Sequence, residues 1–186
     1  MTRALSKTLL CSFLAAVPAG VAVAQQPAAP AVAARPADVN SLDGLIAALY
    51  DVISGPAGQK RDWDRMRTLF APGARLIPTG KNQEGKGSMQ MWTVEEYITR
   101  SGPVLERDGF FERELGRVEE RYGNIVHAFS TYDSKRTLQD PKPFMRGINS
   151  IQAWFDGTRW WILNVFWESE SPSNPIPPKY LNKVKD

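Results

Sequence analysis

Apolar positions recur at helical spacing over residues 42–53, where leucine, isoleucine and tyrosine side chains return every three or four residues. This spacing predicts an amphipathic helix with one buried face. Either Asn40 or Ser41 can cap its first turn through a side-chain oxygen, and Ser54-Gly55-Pro56 ends it. Folded structure is therefore expected to begin near Asn40.

Two further helices are predicted before the strands begin. Asp62 caps a helix over residues 63–70, whose apolar side chains share one face. A short strand is predicted at residues 74–78. The third helix opens with Thr93-Val94-Glu95-Glu96, where the threonine hydroxyl and a glutamate side chain can each satisfy one free backbone amide. Ser101-Gly102-Pro103 is expected to kink or break that helix.

Four longer strands are predicted after residue 110, arranged as two hairpins. They are 111–122 and 125–136 around Gly123-Asn124, and 146–155 and 159–168 around Asp156-Gly157. Helices followed by a meander of antiparallel strands predict an α+β domain, with the helices on one face of the sheet.

The first 24 residues have the pattern of a secretory signal peptide. A positively charged start precedes an apolar stretch, and Ala22-Val23-Ala24 presents small residues to a signal peptidase. The alternative, a membrane anchor, needs about 20 continuous apolar residues, and Pro18 and Gly20 interrupt this stretch. Cleavage after Ala24 and a periplasmic or secreted location are expected, with no membrane attachment afterwards.

Composition divides the remaining chain into three parts. Residues 25–39 are rich in alanine and proline and are expected to form a linker. Residues 40–170 are expected to form the folded domain. The run Ser-Pro-Ser-Asn-Pro-Ile-Pro-Pro opens residues 171–186, which are predicted to lie extended along the surface.

Removing the leader changes the charge and the candidate chemistry. The full chain has 23 basic and 20 acidic residues, and loss of Arg3 and Lys7 leaves 23 − 2 = 21 basic residues. A nearly neutral chain without a cluster of basic residues is not expected to bind nucleic acid. The single cysteine, Cys11, also leaves, which excludes thiol chemistry. One histidine is too few for a structural zinc site, and neither a metal nor a cofactor is expected.

Two sequence segments add to what the order of the elements indicates. These are Asp62-Trp63-Asp64-Arg65-Met66-Arg67-Thr68-Leu69-Phe70-Ala71 and Asp156-Gly157-Thr158-Arg159-Trp160-Trp161-Ile162. Together they resemble the NTF2-like (cystatin-like) superfamily, in particular its bacterial SnoaL-like branch, over about residues 41–170. The resemblance implies a cone in which a curved sheet wraps around the helices and leaves a pocket at its open end. The superfamily includes isomerases, dehydratases, cyclases and binding proteins, so the fold does not fix the chemistry.

The last predicted strand bears on assembly. Residues 160–167 are apolar at both odd and even positions, so neither face of this strand is expected to lie mainly in water. One face would cover the pocket. The other would meet a second copy of the chain, because the resemblance implies homodimers formed through the outer face of the sheet.

His127 is the only imidazole in the chain and the natural candidate for proton transfer near neutral pH. Strand alternation places it on the face shared by Phe129 and Thr131. If that is the inner face, His127 can act as a general acid or base on a bound small molecule. The alternative is a structural histidine that is hydrogen-bonded and inert.

Tyr50 and a set of polar strand residues are the candidate ligand contacts. Tyr50 loosely matches the tyrosine of ketosteroid isomerase, a relative in that superfamily. If a two-residue turn joins their strands, Asn149 and Asn164 face each other, and a bulge would shift that pairing by one residue. Such amides either fix the register or join Arg146 and Gln152 in hydrogen-bonding a polar ligand inside an aromatic cup.

The segment Gly80–Gly87 approaches the pattern of a phosphate-binding loop. Its last position is glycine, however, where a hydroxyl residue would be needed to hold magnesium. A flexible loop near the mouth of the pocket is expected there instead.

Three functions remain open from the sequence. The first is a binding domain that holds a small, partly hydrophobic molecule in the pocket of the cone without turnover. The second is a cofactor-independent isomerase or dehydratase-type lyase with His127 as proton carrier, which requires His127 to point into the cavity. The third is an interaction module whose sheet binds another protein of the cell envelope.

Overall fold

The computed structural model describes residues 32–181 of the 186-residue chain. The predicted signal peptide, the first part of the predicted linker up to residue 31 and the last five residues lie outside the described residues. The signal peptide, its cleavage site and the location of the protein therefore stay predictions.

Four helices precede or interrupt the sheet. They are α1 (Pro36–Val39), α2 (Leu42–Ile53), α3 (Trp63–Leu69) and α4 (Val94–Asp108). Ser41, Asp62 and Thr93 cap the last three through their side chains, and Thr93 and Glu96 form the predicted capping box. None of the helices within residues 32–181 is long and apolar enough to cross a membrane.

Six strands form one curved sheet, which confirms the predicted α+β class. The strands are β1 (Phe70–Lys81), β2 (Gly87–Met89), β3 (Phe111–Tyr122), β4 (Ile125–Lys135), β5 (Met145–Phe155) and β6 (Trp160–Ser169). Their order is β2-β1-β6-β5-β4-β3. β1 runs parallel to β6 and the other neighbours are antiparallel. The sequence predicted only a short strand at residues 74–78. β1 is more than twice that long, and the edge strand β2 was not predicted.

The inner face of the sheet is the face that packs against the helices. Ile151 on β5 and Ile162 on β6 are completely buried, and so are Leu45 on α2 and Met66 on α3. One apolar core therefore joins helices and sheet, as expected for a two-layer domain.

The register of the hairpin β5–β6 differs from the simplest prediction. Phe155 pairs with Trp160, so the turn holds four residues, and a bulge follows on β6, where Leu163 is the extra residue between the partners of Ala153 and Gln152. These changes shift the pairing by three positions, and Asn149 faces Trp167. Because side chains alternate between faces, a shift by an odd number sends Asn164 to the face opposite Asn149.

The folded domain begins four residues before the predicted boundary. The predicted linker 25–39 includes α1, in which Asp38 and Val39 are buried. The Asp38 carboxylate accepts from Nε and Nη2 of Arg65 at 2.7 and 2.9 Å, and this pair anchors α1. The pattern missed it because a four-residue helix is too short to show a periodicity.

Pro103 lies inside α4 without ending it. The helix runs from Val94 to Asp108, so the expected interruption at residues 101–103 does not break it. Gly102 packs directly against the Trp63 ring, where an added Cβ would lie 3.1 Å from the indole. Packing against α3 therefore holds the helix together across its proline.

The C-terminal tail crosses the outer face of the sheet. A 3-10 turn at Pro178–Tyr180 contacts β3 and β4. Thr131 Oγ1 donates to the Tyr180 carbonyl at 2.6 Å, and the Tyr180 ring lies 5.0 Å from that of Phe129. Part of the outer face is thus covered by the chain itself.

Candidate functional site

A cavity of about 180 Å³ lies between the helices and the inner face of the sheet. Its apolar walls come from both the helices and the sheet: Leu49, Ile53, Met66, Leu76, Leu105, Phe110, Met145, Val165 and Trp167. Five side chains with hydrogen-bonding groups interrupt these walls: Tyr97, Ser101, Glu112, Tyr132 and Asn149. No lysine, arginine or histidine among residues 32–181 lines it. An apolar pocket with a few convergent polar groups is the usual form of a small-molecule site.

Glu112 is the strongest acid–base candidate in this cavity. It lies on β3, directly after α4, and its two carboxylate oxygens accept from Ser134 Oγ at 2.9 Å and Asn149 Nδ2 at 3.4 Å. Burial raises the pKa of Glu112 to about 7, the hydrogen bonds oppose that rise, and the negative charge of Asp133 adds to it. Both donors are neutral, and within residues 32–181 no cation pairs with this carboxylate to hold it ionised.

Tyr50 connects Asn149 to the second glutamate of β3. Asn149 Nδ2 donates to the Tyr50 hydroxyl at 3.1 Å, and Ser130 Oγ donates to the Glu114 carboxylate. The Tyr50 and Ser130 oxygens are 2.7 Å apart. Because the single Ser130 proton goes to Glu114, the Tyr50 hydroxyl proton must go to Ser130. Burial and the charge of Glu112 raise the pKa of Tyr50, which keeps that proton in place.

This direction of donation decides what Tyr50 can do. Its hydroxyl proton is already engaged, and Tyr50 is not among the residues that line the cavity. Tyr50 therefore holds the Asn149 amide toward Glu112, while Asn149 itself reaches the cavity.

Tyr97 and Tyr132 supply the other hydroxyl groups. Burial and the negative charge of Glu112 raise the pKa of Tyr97, and the same two causes raise that of Tyr132, so both stay protonated. Tyr132 contacts Ser169 through oxygens 3.4 Å apart. Gly147 makes room for it, because an added Cβ there would lie 2.5 Å from the Tyr132 oxygen. Two protonated tyrosines thus line the same cavity as Glu112.

Tyr97 and Trp167 line one side of the cavity, and Trp92 packs against both of their rings. Trp92, Tyr97 and Trp167 lie with their ring centres 6.3 to 6.5 Å apart in edge and tilted contacts. The guanidinium of Arg100 lies 5.7 Å from the Trp92 ring. This wall is largely apolar, so it favours a ligand with a flat or hydrophobic surface.

A second and larger concavity lies outside, between α2 and the edge strand β3. This groove has a volume of about 670 Å³. Its lining is rich in charge: Asp43, Asp51, Glu112, Arg113, Glu114, Arg117, Asp133 and Lys135. Most of these charges are paired, as in Arg113 with Asp133 and Arg65 with Asp51. Tyr50 and Ala47 complete the wall contributed by α2.

The structure places His127 outside the cavity. His127 is paired with Gln152 and lies on the face opposite the buried neighbours Ala128 and Ile151. Its Nε2 contacts Ser150 Oγ at 2.9 Å. The condition for His127 as proton carrier is therefore not met: alternation along β4 turns the inner face toward Ala128 and Ser130 instead.

Three of the four candidate ligand contacts on the last two strands also lie outside. Asn164 Nδ2 donates to Gln152 Oε1 at 3.0 Å on the outer face, because the bulge moves Asn164 across the sheet. Arg146 pairs with Glu170 at 3.5 Å, the rim ion pair that competes with a ligand role. Asn149 alone among them reaches the cavity, and Tyr50 touches it through Asn149.

The loop that approaches a phosphate-binding motif is a hairpin connection between β1 and β2. Asn82 Oδ1 accepts from the amides of Glu84 and Lys86 at 3.0 and 2.9 Å. Those amides already donate within the loop, so they are not free to bind a phosphate. This favours a loop without a phosphate-binding role.

Comparison with known proteins is informative about the fold. No protein-family model matches the chain, and no curated protein sequence matches it significantly. A protein of unknown function with a cystatin-like fold from Nostoc punctiforme has 15% identity, covers 72% of this chain and 91% of its own, and gives a TM-score of 0.53.

Two weaker structural matches are of the same kind. An NTF2-like protein of unknown function from Silicibacter pomeroyi has 13% identity, coverage of 70% and 94%, and a TM-score of 0.48. A protein from Shewanella frigidimarina, provisionally named a ketosteroid isomerase, has 13% identity, coverage of 69% and 96%, and a TM-score of 0.46. At such identities the likeness shows the fold alone.

Proposed function

We propose that this chain, which has the NTF2-like, cystatin-like fold, binds a small, neutral and largely apolar molecule in the cavity beside Glu112. The observation that carries the proposal is a largely apolar cavity whose lining includes one carboxyl group, two tyrosine hydroxyls, one serine hydroxyl and one amide. A cavity of about 150 Å³ admits a benzene ring, so about 180 Å³ suits a single ring with one polar substituent. A negatively charged ligand would find no cation among the lining residues to balance it.

Filling the cavity tests this proposal. The wild-type protein is screened by thermal unfolding against benzene, phenols and cyclohexenones, and a ligand near 100 times its Kd is expected to raise Tm by about 5 °C or more. Val165→Phe places a ring into the cavity and is expected to abolish that rise. Leu163→Phe is the matched control on the exposed side of the same strand and keeps it. An equal ligand response in both variants contradicts the proposal.

Proton transfer to and from the ligand is the second candidate function, because Glu112 combines access to the cavity with a pKa of about 7. A carboxyl group poised near the working pH is an effective general acid or base. Glu112 takes the place that the sequence assigned to His127, and the Tyr97 hydroxyl can donate to a carbonyl oxygen that becomes negative. The reaction class would remain isomerisation or elimination on a small carbonyl compound.

Deuterium exchange separates catalysis from binding. The carbon acid of a cyclohexenone that binds is followed by NMR in D₂O with and without the protein. Catalysis predicts faster exchange with wild type and loss of that acceleration in Glu112→Gln, whereas His127→Gln behaves as wild type. Binding without any acceleration leaves the first proposal and rejects the second.

We also propose that two copies associate through the part of the outer face that the C-terminal tail leaves open. Ile125, Trp154 and Phe166 are exposed there to 56%, 39% and 44%. Light scattering after gel filtration is expected to give a dimer for wild type and a monomer for Trp154→Arg, with unchanged thermal stability of the monomer. A monomeric wild type contradicts the proposal and favours the interaction-module alternative for this face.

A further inference from the structure

Glu112 stands in the wall between two separate spaces. Comparison of the two linings within residues 32–181 shows that Glu112 lines both the internal cavity and the groove, and no other residue does. The cavity side is made of apolar side chains and tyrosines. The groove side is open and lined by charged residues, and Glu112 as a residue is only partly buried.

The cations that line the groove are engaged by groups other than Glu112. On β3 itself, Arg113 is engaged by Asp133 of β4 at 2.9 Å. Arg117 pairs with Asp43 of α2 and Glu119, and lies 3.7 Å from Glu114. Lys135 of β4 donates to a backbone carbonyl at 2.7 Å. No cation among the described residues forms an ion pair with Glu112, so the carboxyl can gain and lose a proton without breaking one.

Hydrogen bonds from neutral side chains hold the Glu112 carboxyl in place. Ser134 and Asn149 hold the carboxylate oxygens, and Asn149 is fixed in turn by Tyr50. The Tyr50 hydroxyl donates a hydrogen bond to Ser130, whose hydroxyl donates to Glu114. Tyr50 and Ser130 are thus positioning residues for the carboxyl, and the groove remains its contact with water.

We propose that Glu112 carries protons through this wall, between a ligand that fills the cavity and water in the groove. The bond from the ligand to its hydrogen breaks, the electron pair stays on the ligand, and an O–H bond forms on Glu112. That O–H then gives its proton to water in the groove, and the reverse steps return it. The ligand can therefore exchange protons with solvent without leaving. This inference rests on the proposed function, because it requires a ligand in the cavity.

Blocking the groove tests the route. Ala47 is an exposed residue of α2 that lines the groove, so Ala47→Trp places an indole over the path to Glu112 while the cavity is untouched. Val104→Trp is the matched control, since Val104 is exposed on α4 and lines neither space. The readout is the side-chain carboxyl resonance of Glu112 in ¹³C-glutamate-labelled protein, followed through its titration with and without saturating benzene.

The expected result is a single exchange-averaged line for Glu112 in wild type and V104W, both free and with benzene bound. A47W is expected to lose that averaged line to broadening or splitting, because proton exchange becomes slow. A titration in A47W that is indistinguishable from wild type overturns the proposal, and so does loss of averaging in wild type when benzene binds.

Failure of the proposed function is visible separately in this experiment. Benzene binding is read from Tm, so a cavity that takes no ligand is recognised before the line shapes are compared. The ligand-free comparison of A47W with V104W still decides whether water reaches Glu112 through the groove. Equal line shapes in that comparison reject the route, and a broadened line in A47W alone supports it.

Discussion

Replacing Glu112 with glutamine is expected to stabilise the protein at pH 8 and to change little at pH 5. Burial raises the pKa of Glu112 from 4.5 to about 7 in the folded protein, so folding favours the protonated carboxyl. Its contribution to stability is complete below about pH 4.5 and is lost as the pH rises through 7. Glutamine mimics the protonated form at every pH and escapes that loss.

The expected size follows from the same two pKa values. A rise from 4.5 to about 7 corresponds to about 3 kcal/mol, and partial exposure toward the groove reduces the expected gain at pH 8 to about 2 kcal/mol. Urea unfolding of Glu112→Gln and wild type at pH 5 and pH 8 measures it. Glu120→Gln, an exposed change on the same strand, is the control. Equal stability of E112Q and wild type at both pH values would contradict the claim that the Glu112 carboxyl is buried without a compensating cation.

Replacing Arg61 with methionine is expected to cost about 4 kcal/mol of folding free energy, because buried acceptors lose their donor. The guanidinium of Arg61 is buried and donates to backbone carbonyls of Ile53, Gly55, Gln59 and Leu105 at 2.6 to 3.1 Å. These carbonyls belong to the end of α2, the following loop and α4. One side chain therefore joins three segments that frame the cavity.

Urea unfolding with matched variants checks this expectation. Arg61→Lys keeps the charge but replaces the planar guanidinium by an ammonium that reaches fewer carbonyls, so an intermediate loss is expected. Lys60→Met removes a neighbouring exposed charge and should leave stability within about 0.5 kcal/mol. A loss below about 1 kcal/mol in R61M would show that water or the backbone can replace the guanidinium.

The architecture was largely predictable because local signals and long-range packing agree. Ser41, Asp62 and Thr93 cap the helices where the sequence placed the caps, and the strand segments match the alternation around Gly123 and Asp156. The cavity between helices and sheet follows from that architecture.

The candidate site was not predictable in the same way, because strand alternation alone does not say which face is inside. On β4, both Val126-Ala128-Ser130 and Ile125-His127-Phe129 contain apolar residues, and packing buries the first set. Along β3, Phe111 and Leu115 suggest an apolar inner face, yet Glu112 and Glu114 point inward. A bulge between Glu114 and Gly116 and polar partners on α2, β4 and β5 make this arrangement possible.

The polar residues on β4 and β5 were the sequence signal that Glu112 and Glu114 point inward. Ser130, Ser134 and Asn149 are polar residues on buried positions of a sheet, and buried polar groups require partners. Their partners are Glu112, Glu114 and Tyr50. A cluster of polar residues in neighbouring strands can therefore indicate that a nearby glutamate lies inside, although the register that brings them together comes only from the folded structure.

The most direct test of a proton-carrying carboxyl in an apolar cavity is the titration of Glu112 itself. In ¹³C-glutamate-labelled protein, with Glu112→Gln used to assign the resonance, we expect the Glu112 carboxyl to titrate with a midpoint near 7. A midpoint near 4.5, the ordinary value, would show a solvated carboxylate and contradict a buried proton carrier.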